Sequence, residues 1–261
     1  MDHRARLRHY FVPFPHVAAY VLGGCVLVLW LTQPSWPTFG LFLLPALGSG
    51  AFLVHWSRKP SDTEVDAWQA EDFDHLRPRS LTKCGLLSDQ LVRESVRLTA
   101  PRWRNLGGAR FGRKQGGDRL WRFTPMEVTY VHFTQHQLVI YRCCFDHTTG
   151  NALNEQTDTV FYQDVVAIAT RSMAWSASRS DLPSGLARKL ETAGKLAKDG
   201  TLQVNDAETF VLITKAGVSM EVTLRVPVIL TGLGGGDLPT ELTDQAIQAI
   251  RKNVEQLKLG S

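Results

Sequence analysis

The chain has 261 residues, 29 basic and 25 acidic side chains and a formal net charge of +4. Hydrophobic residues make up 44% and charged ones 21%, with a mean hydropathy of −0.12. These values exclude wholesale disorder, collagen-like repeats and a polytopic transporter.

The averages hide a split. Residues 9–57 contain no Asp, Glu, Lys or Arg, so every charged side chain lies outside that block. The block predicts a transmembrane helical hairpin. Residues 11–31 and 37–56 each supply close to the ~20 apolar positions that cross a bilayer core. Residues 32–38 hold two prolines and form a tight reversal. A cleaved leader is the competing reading. The first apolar run is too long for it, no small-residue cleavage site follows, and a second span comes directly after.

Orientation follows from the basic flanks. Arg4, Arg6 and Arg8 precede the first span, Arg58 and Lys59 follow the second, and the reversal is uncharged. Both termini are expected to face the cytoplasm across a bacterial inner membrane. Trp30 and Trp36 would mark the outer interface, and Tyr10 and Trp56 the inner one. Ala19 and Gly23, and Ala46 and Gly50, are small residues at four-residue spacing. They are expected to pack the two spans together, in preference to a homo-oligomer. No acidic residue is available in the spans for a proton or ion path.

Cys25, Cys84, Cys143 and Cys144 form no C-x-x-C pair and read as reduced thiols. Residues 58–118 are expected to form a linker. It opens acidic, from Asp62 to Asp74, as a solvated segment or exposed helix face. A short helix is predicted over residues 88–99, with Ser88 as its N-cap and Pro101 as its stop.

Residues 93–122 carry nine basic side chains against Glu94 and Asp118, a local charge of 9 − 2 = +7. Trp103, Phe111, Trp121 and Phe123 interleave the charges, and five glycines are expected to keep the middle flexible. A basic cluster beside a membrane anchor suits an anionic leaflet or a partner protein. The candidate binding residues are Arg102, Trp103, Arg104, Arg110, Phe111, Arg113, Lys114 and Arg119.

Period-two alternation begins near Met126 and predicts strands through residues 126–145, with a turn at residues 134–136. Further strands are expected at residues 157–162, 165–170, 209–214 and 218–226. Leu182, Leu186, Leu190 and Ala193 have helical spacing, within an insertion at residues 172–200. A closing helix is predicted over residues 240–257, with Leu242, Ala246, Ile250, Val254 and Leu257 on one face. The fold class is therefore α+β: a small antiparallel sheet capped by a C-terminal helix, behind a membrane hairpin.

Three motifs fail on inspection. Gly107-x-x-x-x-Gly112-Arg113-Lys114 lacks the Lys-Ser/Thr order of a phosphate loop. The glycines at 232, 234, 235 and 236 come too late for a dinucleotide-binding unit, and read as a flexible loop. His132, His136, Cys143, Cys144 and His147 offer metal ligands, but His132 and Cys143 fall roughly 16 Å apart along a hairpin. No metal or cofactor is expected, and no catalytic residue is assigned.

The run from Val131 through Thr134 and Leu138 to Ile140, followed by Val160-Phe-Tyr-Gln-Asp-Val-Val-Ala-Ile168, resembles bacterial pleckstrin-homology-like domains. The hairpin at 210–224 and the closing helix are similar to the same pattern, over residues 119–258 in all. The resemblance implies a membrane-associated binding or scaffolding module, since the fold does not by itself specify chemistry, and the leading expectation is a non-enzymatic one. It would present this module to a protein partner or to anionic lipid. The alternatives are an enzyme or effector with an unrecognised site, and a membrane-tethered nucleic-acid binder.

Overall fold

The computed structural model describes residues 3–32, 36–239 and 241–259. The described residues are α+β, with seven α-helices and three antiparallel sheets, and divide into two compact units, Met1–Val65 and Asp66–Ser261.

The first unit holds α1 (His3–Tyr10), α2 (His16–Thr32), α3 (Trp36–Ser57) and the first turn of α4 (Asp62–Lys83). By length and composition, residues Phe39–Ser57 alone among the described residues qualify as able to cross a membrane, while the apolar run of α2, His16–Leu31, is shorter. The first apolar helix starts at His16, not at residue 11. Pro13 and Pro15 precede it, and proline lacks the N–H that a helix interior needs. The expected reversal centres on residues 33–35, which, with the Trp36 side chain, lie outside the described residues.

α2 and α3 lie side by side. Ala46 is buried, but a Cβ placed on Gly23 or Gly50 meets no atom within 4 Å. The small residues therefore do not form a matched seam. At the other end, Trp56 Nε1 donates to Pro13 O at 3.1 Å and Phe14 sets its edge on the Trp56 ring at 4.9 Å. The start of α2 and the end of α3 thus adjoin. Ser61 and Glu64 form a reciprocal cap on α4: Glu64 N donates to Ser61 Oγ, and Ser61 N to Glu64 Oε2.

The second unit is built on two sheets. One has the order β1-β4-β5-β6, from β1 (Arg93–Pro101), β4 (Met126–Phe133), β5 (Gln137–Asp146) and β6 (Asn151–Phe161). The other is β7-β8-β9, from β7 (Val165–Ser178), β8 (Thr201–Thr214) and β9 (Gly217–Arg225). Leu98, Val131, Phe133, Leu138 and Ile140 of the first sheet share a core with Phe210, Leu212, Met220 and Val222 of the second. Helix α7 (Glu241–Leu259) completes that core with Ala246, Ile247, Ile250 and Val254. The other face of β4 and β5, with Val128, Tyr130 and Tyr141, packs under Phe73 and Leu76 of α4. A strand buried on both faces explains why β5 reads as nearly continuous apolar sequence.

Four sequence expectations change here. Residues 88–99 are not a helix: a single 3-10 turn at Ser88–Gln90 leads into β1. The alternation of Val96, Leu98 and Ala100, all directed at the core, has the period of a strand. The acidic run is not merely solvated, since it belongs to α4 and Asp72 is buried. The glycine-rich middle of the basic segment forms a hairpin, β2 (Gly112–Gln115) with β3 (Trp121–Thr124).

The fourth change concerns residues 172–200. They are not a wholly helical insertion, because β7 runs on to Ser178 and pairs with β8 as far as Thr201. The helix itself is short, α5 (Ser184–Thr192), and α6 (Pro227–Leu233) lies near it. The far half of the β7–β8 ribbon, α5, α6 and the β2–β3 hairpin enclose a second core around Trp103, Trp121, Phe123, Leu186 and Ile229.

Candidate functional site

The basic, aromatic segment is threaded through that second core. Trp103 and Trp121 are 4% and 8% exposed, so neither side chain is available to enter a bilayer interface. Trp103 meets Phe123 edge-on at 5.1 Å, and half-buried Phe111 packs beside the same cluster. Aromatic area of this size is placed where it leaves water most completely.

The +7 charge is also dissected by acids from elsewhere in the chain. Arg97 faces Asp74, Arg102 pairs with Glu127, and Arg122 makes a fork to Asp66 with two bonds of 2.7 Å. Asp118 adds a second carboxylate to Arg122 at 2.8 Å, and that guanidinium holds the Asp118 carboxyl down at about 2. Arg104 lies over the Trp175 ring at 5.5 Å. Burial, then the nearby Arg188, lowers the pKa of half-buried Arg113. Arg110 and Arg119 are exposed, and Lys114 is half-buried on β2. The structure therefore does not gather the eight candidate residues into one basic face.

Two buried polar clusters fix α4 to the four-stranded sheet. Ser80 Oγ donates to Arg77 O at 2.7 Å, so it accepts from His132 Nε2 at 3.0 Å. His132 Nδ1 then accepts from Ser95 Oγ at 2.8 Å. A serine beside an imidazole invites a nucleophile reading. Burial, with Arg77 nearby, pushes the His132 pKa down to about 4, and so weak a base does not activate a hydroxyl near neutral pH. The cluster ties α4, β1 and β4 together.

In the second cluster Asp146 accepts from Thr124 Oγ1, Thr148 N and Thr148 Oγ1 at 2.7–3.0 Å, while His147 Nδ1 meets Asp72 Oδ2 at 2.8 Å. Burial raises the thiols of Cys143 and Cys144 to about 11 and 12, which removes them as nucleophiles. No three His, Cys, Asp or Glu side chains among the described residues converge as a metal-binding set.

One concavity of this unit has no counterpart among the sequence expectations. A groove of about 750 Å³ follows β1, flanked by α4 and the first turns of α7. Its lining draws on Phe73, Val96, Arg97, Trp121, Leu242 and Ala246, from four separate elements. One signal was legible in the sequence: Leu242 continues the apolar stripe of α7, yet it is 70% exposed at the lip of this groove.

The chain matches no family model, no curated protein and no solved structure.

Proposed function

We propose that this chain is a membrane-anchored binding protein of the bacterial inner membrane, presenting a pleckstrin-homology-like module in the cytoplasm to a protein partner. The observation that carries the anchor is the surface of α2 and α3. Val17, Tyr20, Trp30 and Leu44 are each 74–77% exposed on charge-free helices, an apolar area that water-soluble proteins do not display. The adjoining ends of α2 and α3, with Arg4, Arg6, Arg8, Arg58 and Lys59 beside them, support a hairpin with both termini inside.

The module reading is supported by the arrangement of residues 93–259. A four-stranded sheet faces a three-stranded sheet, and a C-terminal helix completes the core between them. The β2–β3 hairpin and the α5–α6 region are additions to that plan. A binding role is favoured over catalysis because His132, behind the groove residue Ser95, is spent on two serines, while the groove walls are largely apolar.

The test is a topology reporter active only outside the cytoplasm. Inserted after Ser35 it is expected to be active, and fused after Ser261 it is expected to be silent. Activity at Ser261 with silence at Ser35, or recovery of the untagged protein in the soluble fraction, overturns the reading.

A further inference from the structure

Strand β1 ends the four-stranded sheet, hydrogen-bonded to β4 on one side only. Arg102 N reaches Pro125 O at 3.3 Å, on the β4 side. Counting back along an antiparallel ladder, the main-chain groups of Arg97 and Thr99 turn away from β4. Pro101 takes the third outward position, where its missing N–H removes no ladder bond. Among the described residues no strand pairs with this edge, and it opens into the groove beside α7.

We propose that this edge is a docking site for an extended segment of a partner protein in which apolar and basic side chains alternate. The inference rests on the reading of residues 66–261 as a protein-binding module. The class of occupant follows from the backbone, since a row of outward N–H and C=O groups is matched by another strand. Residues 94–101 span roughly 25 Å, enough to pair with a strand of about six residues.

The side chains of that strand are set by the two walls it would meet. An added strand directs alternate residues to the same two faces as β1. On the α7 side lie Val96, Leu242, Ala246 and Ala249, and the two alanines let a backbone approach. On the α4 side the charges are sorted by depth. The Arg97 guanidinium lies over the Phe73 ring at 4.5 Å with its side chain 28% exposed, while its distant partner Asp74, at 3.7 Å, is 82% exposed. Arg77 and Glu94 repeat this, also at 3.7 Å, with exposures of 41% and 84%. The carboxylates are therefore the more exposed partners on this wall, and lysine or arginine complements them.

The experiment uses the full chain in uncharged detergent micelles, with a fluorescent acetyl-Val-Lys-Val-Lys-Val-Lys-amide peptide read by anisotropy. Saturable binding is expected. It is expected to be lost when alternate peptide amides are N-methylated, which removes the strand donors without altering charge. Thr99→Pro deletes an outward N–H and spares the β4 ladder, so it too should abolish binding. The double variant Asp74→Lys, Glu94→Lys should weaken the peptide about tenfold and favour a Val-Glu counterpart. No binding, or equal binding of the N-methylated peptide, overturns the proposal and requires no folded variant to interpret. Disulfide-linked pairs of a Thr99→Cys chain in membranes would assign the edge to a second copy and also overturn it. Peptide binding with a reversed topology would defeat the anchor reading alone.

Discussion

Asp72 of α4 and His147, just beyond β5, stand 75 positions apart and meet at 2.8 Å with both side chains essentially out of water. Phe73 and Phe145 close on the same imidazole edge-on, each at 5.0 Å. The pair anchors the middle of α4 to the end of the four-stranded sheet. Asp72→Ala removes the carboxylate facing Nδ1 and is expected to lower stability by about 1–3 kcal/mol, several degrees in thermal midpoint. Asp74→Ala, two residues along the helix and exposed, is the control expected to change the midpoint little.

A pH arm of stability is expected from His132. In the unfolded chain the imidazole takes a proton near 6.5, whereas the buried ring between Ser80 and Ser95 resists protonation until about 4. Between those values the unfolded state binds more protons, so stability is full above pH 6.5 and falls as the pH drops through this window. The loss amounts to at most about 3 kcal/mol. Thermal melts from pH 7.5 to 4 should show the decline, and His132→Gln should flatten it; a wild-type midpoint constant over that range would contradict the assignment.

The loop between α6 and α7 is docked and not slack. Gly234, Gly235 and Gly236 have φ of +111°, +82° and +98°, and the Trp121 indole N–H donates to Gly235 O at 2.7 Å. A Cβ on Gly236 would lie 2.8 Å from Arg119 O and 2.9 Å from Trp121 Nε1. Gly236→Ala is therefore expected to destabilise by more than about 1 kcal/mol, through left-handed strain and this clash together. Gly107→Ala, with open space and an ordinary φ, should be close to neutral by the same melt.

Ile250 tests the helix that completes the main core. It is fully buried among residues of both sheets, so Ile250→Asp places a carboxylate with no partner there and should cost several kcal/mol. An unchanged thermal transition would show that α7 does not pack on the sheets.

The candidate site was only partly legible. Arg102, Arg104, Arg110 and Arg113 stand out along the chain as unopposed charge. Their electrostatic neighbours arrive from other elements, Glu127 from β4 and Arg188 from α5. The tryptophans beside them read as surface anchors until the second core claimed them. An edge strand is defined by the neighbour it lacks, and Pro101 at an outward position is its one local mark. Residues 88–99 were misread for a related reason. Leu91, Val92, Val96 and Leu98 fall on one face of a helix as well, and the alternation from Val96 to Ala100 is too short to decide alone.

The sequence by itself determined the α+β class, the charge-free block, the turn at Thr134 and the apolar stripe of α7. These rest on composition and on periodicities of 2.0 and 3.6 residues, which local backbone geometry imposes. Only the tertiary structure decided which arginines keep their charge at the surface, that β1 ends a sheet, and that Asp72 meets His147. Those outcomes depend on which distant segments become neighbours once both sheets bury their apolar faces, and desolvation and pairing act on neighbours in space.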